Sequence, residues 1–324
     1  MSRRVEYVLT PEDEGLYLKE ILQRRLGFSG RLIKKIKYEG DLLLGGVHAG
    51  VKQRGRTGEV LTAVYPEEES YFEPEDIPLD IIYEDDDLLV LNKQPYVVVH
   101  PTKGHQEGTL ANGLARYISE SGQSWKIRFV NRLDRDTSGL VIVAKNPHAQ
   151  DSISCQMADG STVKRYTAIV HGMLEGEGTV DAPIGRDPFH TARRKVTEDG
   201  YPSLTRWRAL ERFERSCAPG CSEALSGFTA AELTLETGRT HQIRAHMTHI
   251  GHPLLGDELY AQLYGFWEIP AYMPRQALHA SYLEFDHPAD GRRMSFTAPL
   301  PEDMLHCLEI LRSGEESEEQ HNRA

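Results

Sequence analysis

The stretch "IRFVNRLDRDTSGLVIVAK", residues 127–145, decides how the rest of the chain is read. Apolar segments rich in β-branched residues flank it, "IRFV" before and "LVIVAK" after, and both read as strands. Between them "NRLDRDTSG" holds four ionised side chains, two hydroxyls and a glycine. An unpaired buried carboxylate is costly, so the loop lies in water or its charges have partners. Asp136 is explained as a turn residue whose side chain caps the backbone of residues 137–139. That leaves Asp134 without an explanation.

Further strands follow the same logic: "LDIIYE", "DLLVLNK", "PYVVVHP", "WKIRFV", "KRYTAIV" and "FTAAELTLET". Helices are predicted for "GTLANGLARYISESG", capped by Thr109, and for "PEDMLHCLEILRSG", with Met304, Leu305, Leu308 and Leu311 on its apolar face. The helices do not alternate regularly with the strands, so the fold class is α+β and not doubly wound.

Four units are expected along the chain. In residues 1–64, Leu18, Ile21, Leu22 and Leu26 mark one helix, ended by Gly27. A second helix starts at Ser29, burying Leu32, Ile33 and Ile36 while Arg31, Lys34, Lys35 and Lys37 project outward. Residues 65–80, acidic and with three prolines, read as a linker. The main domain spans 81–312, and 313–324 reads as a disordered tail.

The net charge is −12, yet residues 1–64 carry 12 Lys and Arg against 8 Asp and Glu. An acidic whole does not exclude an RNA partner when the basic residues cluster. The longest apolar runs are strand-sized, so no membrane partner is expected. The opening "MSRRVEYVL" does not resemble a secretory signal, four cysteines do not suggest a disulfide framework, and a cytoplasmic protein is expected. Cys217 and Cys221 read as part of a surface loop.

The second chemically dense segment is "ETGRTHQIRAHMTHIGHPLLGD", residues 236–257. It follows a strand, with Gly238 available for a tight turn and Thr240 for a helix cap. His241, His246, His249, His252 and Asp257 could supply metal ligands, but Gly251 and Pro253 carry the last histidine off the helix and no H-E-x-x-H spacing is present. No metal and no cofactor are expected. Asp134 and Asp136 could form a carboxylate pair for acid–base work. Alternatively Arg244 reaches across to Asp134 and keeps its carboxylate ionised, either for chemistry or as a structural salt bridge.

Five segments in order carry a resemblance: "LLVLNKQPYVVVHP", "NRLDRDTSGLVIVAKN", "KRYTAIVHG", "TGRTHQIRAHMTHIGHPLLGDELY" and "RQALHASYLEFDHP". The chain resembles the RluA/RluD-type pseudouridine synthases, which isomerise uridine within RNA. The resemblance implies an α+β pseudouridine synthase fold with a mixed, mainly antiparallel sheet and a central RNA-binding cleft. It places the catalytic aspartate on Asp134, the active-site tyrosine on Tyr166, the arginine partner on Arg244 and an apolar neighbour of the base on Leu278. Asn131 stands where members commonly have His. Arg132 would enter the space of the flipped base or hold a neighbouring phosphate; otherwise it pairs with Asp136. Residues 1–64 resemble a small S-four-like RNA-binding domain, with Arg31, Lys34, Lys35 and Lys37 facing RNA, although "GLYLKE" and "LLLGG" depart from its usual motifs. The implied partner is ribosomal RNA of the large subunit first, transfer RNA second, bound by a monomer. A non-catalytic RNA-binding or ribosome-assembly factor and a metal-dependent hydrolase are the competing classes.

Overall fold

"SGLVIVA" forms strand β8 (Ser138–Ala144), buried at every position, as a continuous apolar run should be in a sheet covered on both faces. The computed structural model describes residues 4–65, 68, 70–102, 104, 106–214, 226–266 and 268–314. Cys217, Cys221 and residues 315–324 of the expected tail lie outside them.

The N-terminal unit is a four-stranded antiparallel sheet of β1 (Arg4–Val8), β2 (Asp41–Leu44), β3 (Val47–His48) and β4 (Val60–Val64), ordered β1-β4-β2-β3. Helices α1 (Leu18–Arg24) and α2 (Gly30–Glu39) cover it. Ser29 caps α2 as expected, its hydroxyl accepting the Leu32 N–H at 3.1 Å. Leu32, Ile33 and Ile36 point into a core that also takes Tyr65.

The main unit is built on ten strands. Eight run in the order β10 (Glu177–Asp181), β13 (Leu204–Phe213), β14 (Phe228–Leu235), β9 (Val163–His171), β15 (Leu278–Asp286), β8, β6 (Leu88–Lys93) and β5 (Ile81–Glu84). β7 (Arg128–Phe129) joins β8, and β16 (Arg293–Thr297) joins β15. A separate hairpin pairs β11 (Ile184–Arg186) with β12 (Arg194–Val196). Every described pairing in the large sheet is antiparallel except β15 with β8.

Helices α3 (Leu110–Glu120), α4 (Pro147–Asp159), α5 (Gln242–His249) and α7 (Glu302–Ser313) pack on this sheet, and the short α6 (Glu258–Ala261) follows α5. Together they make an α+β fold. On α7 the buried face is Met304, Cys307, Leu308 and Leu311, while Leu305 is 46% exposed. The expected stripe is therefore rotated slightly, and the thiol takes the place given to Leu305.

"PYVVVHP" is not a strand. Pro95 offers no N–H, and Tyr96 adopts φ 66°, so the chain turns there. Only Val98 pairs, in an isolated bridge to Thr109. Residues 70–80 also depart from a free linker. Phe72 and Leu79 pack into the core under α3, Asn112 Nδ2 donates to the Glu73 carbonyl at 2.9 Å, and the Glu75 carboxylate accepts the Gly108 N–H.

The parallel contact fixes one residue absolutely. Gly139 sits at φ 109° against Ala280, where a Cβ would meet the Ala280 carbonyl oxygen at 2.3 Å. Gly139→Ala is expected to destabilise the protein by more than about 2 kcal/mol in urea unfolding, because strain and a backbone clash coincide.

Two buried imidazoles set an acid limit. Burial pushes His171 and His279 down to about 4. His279 is neutral by geometry: Nε2 donates to the Ala298 carbonyl at 3.2 Å and Nδ1 accepts from Ser138 at 2.9 Å. Between pH 6.5 and about 4 the unfolded chain binds the extra protons, so stability rises with pH in that window and falls on acidification. Urea midpoints should drop steadily from pH 6.5 to 5.5, above the range where most carboxylates protonate. A flat profile there would contradict the burial of these rings.

Candidate active site

Asp134 lies in the loop that leads into β8, where its carbonyl accepts the Thr137 N–H at 3.1 Å and closes a turn. Its carboxylate is 27% exposed and accepts Arg244 Nη1 at 3.0 Å. The cation across the cleft that the sequence called for is in place.

Arg244 is held more firmly than that pair alone would require. Its Nε and Nη2 donate to the two oxygens of Asp257 at 2.7 and 2.9 Å, and Asp257 has no exposed surface. Burial works against the guanidinium charge, but Asp257 and then Asp134 outweigh it and hold the group above the ordinary arginine range. Asp257 also caps α6, and the Tyr260 ring stacks 5.0 Å from the guanidinium. The Tyr260 hydroxyl donates to the Arg194 carbonyl at 3.0 Å and accepts the Arg194 N–H at 2.8 Å. The pocket floor is thereby tied to the β11–β12 hairpin.

Sequence reasoning treated Asp257 only as a possible metal ligand. The histidines of this segment do not converge on a metal. His246 uses both nitrogens, on Thr205 and on the Ala182 carbonyl, and His252 Nδ1 faces the His171 carbonyl. His241, not Thr240, is the N-cap of α5, and it carries the left-handed turn (φ 54°) expected at Gly238. Its Nε2 stands 3.6 Å from Asp134.

The loop backbone is gripped from below by two buried cations whose roles no sequence signal marked. Lys93 Nζ donates to the carbonyls of Gln94, Val97 and Arg135 at 2.8–2.9 Å. Burial pushes its ammonium down to about 7, but three carbonyl acceptors favour the charged form, since a neutral amine has only two hydrogens. Arg275, 2% exposed, donates to the Asp136 carbonyl at 2.9 Å and is itself held by Asp303. Asn131 acts as a strand extension: its amide donates to the Leu140 carbonyl and accepts the Ile142 N–H. One amide thus supplies both the donor and the acceptor for these bonds.

The Asp136 carboxylate pairs with Arg135 at 2.8 Å, not with Arg132 and not with the backbone of 137–139. Arg132 is exposed at the cleft and makes no ion pair among the described residues. Tyr166 projects from β9 into the same cleft, and Leu278 is buried in the cluster that packs against it. Burial and then the Asp134 charge push the Tyr166 hydroxyl well above its usual value, so it stays protonated.

Asp134, Arg132 and Tyr166 line a cleft of about 1310 Å³, larger than a single nucleoside needs. Arg31 and Lys35 of α2 line it too, bringing the N-terminal unit to the same cavity as Asp134. Lys34 and Lys37 are exposed on α2 but do not line it, and Lys37 turns to Tyr38 at 3.2 Å.

The Arg244–Asp257 pair should be the least replaceable contact of the site. Asp257→Asn is expected to lower the unfolding midpoint and to slow turnover at least about tenfold, since breaking a buried ion pair costs about 3–5 kcal/mol. A thermal melt and a single-turnover rate on the same preparation measure both; unchanged values would show that Asp134 alone holds Arg244.

The family model described as RNA pseudouridylate synthase matches residues 87–249. The chain is 44% identical over 287 residues to the uncharacterized RNA pseudouridine synthase YjbO of Bacillus subtilis, covering 87% of this chain and 95% of that protein. It is 37% identical to ribosomal large subunit pseudouridine synthase D of Escherichia coli O157:H7, covering 97% of this chain and 92% of that one. Among solved structures, human RNA pseudouridylate synthase domain containing 1 aligns with a TM-score of 0.55 at 27% identity, over 76% of this chain and all of that one. No helix among the described residues is long and apolar enough to cross a membrane. With fold, cleft and matches in agreement, the chain belongs to the RNA pseudouridine synthase family, of the RluA/RluD type.

Proposed function

We propose that this isomerase converts uridines of large-subunit ribosomal RNA to pseudouridine, with Asp134 as the group that acts on the glycosidic bond. The observation that carries the assignment is the Asp134 carboxylate: open to the cleft, yet fixed by Arg244 at 3.0 Å. That pairing fixes the orientation of the carboxylate toward the cleft.

The target base first leaves its stack, at a cost of a few kcal/mol that is least in loops. Arg132, unpaired at the rim, takes the vacated space or the adjacent phosphate. Asp134 assists cleavage of the bond between the sugar C1′ and uracil N1, whose electron pair leaves with the base. Rotation brings ring carbon five to C1′, the new bond forms, and the proton on that carbon passes to water while N1 takes up the proton that replaces its bond to the sugar. Tyr166, kept protonated by burial, stacks on the base and offers a hydroxyl donor. Arg244 holds the carboxylate throughout. The name of the Escherichia coli relative supports ribosomal RNA as the substrate.

Asp134→Asn should abolish pseudouridine formation while RNA affinity stays within about threefold, because the change removes one charge and almost no volume. Conversion by the variant would refute the assignment. Mapping pseudouridines in total RNA with and without the protein tests the substrate; sites lost from transfer RNA alone would redirect it.

A further inference from the structure

The N-terminal unit is fastened to the rest of the protein at several points. Tyr65 is buried in its core, while Ser70 already belongs to the main unit, its hydroxyl accepting the Ile127 N–H at 2.7 Å. Five peptide units join the two residues and can span at most about 18 Å. Within that span Glu68 gathers cations from three segments: Lys35 of α2 at 2.5 Å, Lys126 at 3.5 Å, and Arg128 of β7.

This cluster is partly desolvated. Glu68 is 15% exposed and Arg128 only 8%, so the carboxylate counts for more than a surface partner would. Burial opposes the Glu68 charge, and Lys35, Arg128 and Lys126 together still hold its carboxyl below the usual range. Without that charge, three cations from the two units would face one another and repel. On the other flank, Ser29 bonds Asp151 of α4, and the Phe28 ring packs 4.9 Å from that of His148. Arg31 stands on α2 between these attachments, and it and Lys35 line the cleft that contains Asp134.

We propose that Glu68 is a positioning residue, a latch that makes the N-terminal unit a fixed second wall of the cleft and sets the distance between the basic face of α2 and Asp134. This rests on the assignment of Asp134 above. A fixed wall selects substrate by shape: an RNA gains the α2 contacts only if its backbone reaches that helix while its uridine sits at Asp134. A short oligonucleotide cannot reach both and is indifferent to the latch. The alternative role for Glu68, an occupant of a phosphate site that RNA displaces, predicts the opposite sign, because removing it would tighten binding.

Glu68→Gln in the full chain should raise KM for a structured ribosomal RNA fragment about tenfold and leave kcat within about twofold, as expected when one of two linked contacts loses its geometry. Small-angle scattering should show a larger radius of gyration. In a C155S/C217S/C221S background, S29C/D151C joined by a short bifunctional thiol reagent should restore the low KM to the Glu68→Gln protein. An unchanged or lowered KM, no cross-linking, or a cross-linked protein inactive on the structured fragment would overturn the latch. Turnover of a short uridine oligonucleotide by Asp134→Asn is the separate check: conversion there sinks the site assignment, whereas the latch is read only from the structured-fragment KM.

Discussion

Arg244 stands between two carboxylates, and the active site depends on how unequally it treats them. Asp257 is wholly buried and takes two of its hydrogen bonds; Asp134 takes one and keeps 27% of its side chain exposed. One guanidinium thus serves two carboxylates, of which only Asp134 opens to the cleft. A buried ion pair contributes little to stability for its own sake. Its use here is to anchor the guanidinium so that the second carboxylate is oriented without being neutralised. A lone Arg244–Asp134 pair would leave two mobile side chains at the mouth of a wet cleft, and the orientation would be lost.

The same loop is fixed a second time through its backbone. The carbonyls of Arg135 and Asp136 are each held by a buried cation, Lys93 and Arg275. Those cations come from the strand β6 end and from the residue cluster before β15, the strands that flank β8. The sole described parallel contact in the large sheet, Ser138 and Gly139 against His279 and Ala280, locks the point where the loop becomes strand. Side chain, backbone and sheet register therefore constrain the position of Asp134 independently, as the role proposed for it would require.

The sequence made part of this legible, and the reasons for the remainder are physical. A loop rich in charge between two buried strands demands a partner for Asp134, and Arg244 in a second charged segment meets that demand. Asp257 was visible as an acid but not as the anchor, because its role depends on the chain folding back from α5 to α6. Lys93 and Arg275 lie in family-like segments, but their roles could not be read there: Lys93 is satisfied by carbonyls and Arg275 by carbonyls and the distant Asp303, and "LLVLNK" reads as a strand either way. The acidic composition of residues 65–80 suggested a solvated linker. Glu68 spends its charge on three cations and Phe72 and Leu79 enter the core, so composition alone could not separate a strap from a tether. "PYVVVHP" misled because a β-branched run outweighs one proline in any propensity count, whereas a single missing N–H and a left-handed Tyr96 suffice to turn the chain.

Charge placement reconciles an acidic protein with an RNA partner. The chain carries −12 overall, yet seven Lys and Arg line the cleft against four Asp and Glu. Those four acids are not equivalent. Glu68 already faces three of those cations and Asp134 shares Arg244 with Asp257, so neither changes the sign: the lining keeps its excess of cations toward an approaching phosphate. Outside it the acidic surface repels a polyanion. An acidic remainder beside a cation-lined groove, with low-dielectric walls focusing the field there, orients an RNA before contact. The negative balance then serves selectivity: non-specific phosphate binding is suppressed over most of the surface, and affinity is confined to substrates that can enter the cleft with a uridine free to leave its stack.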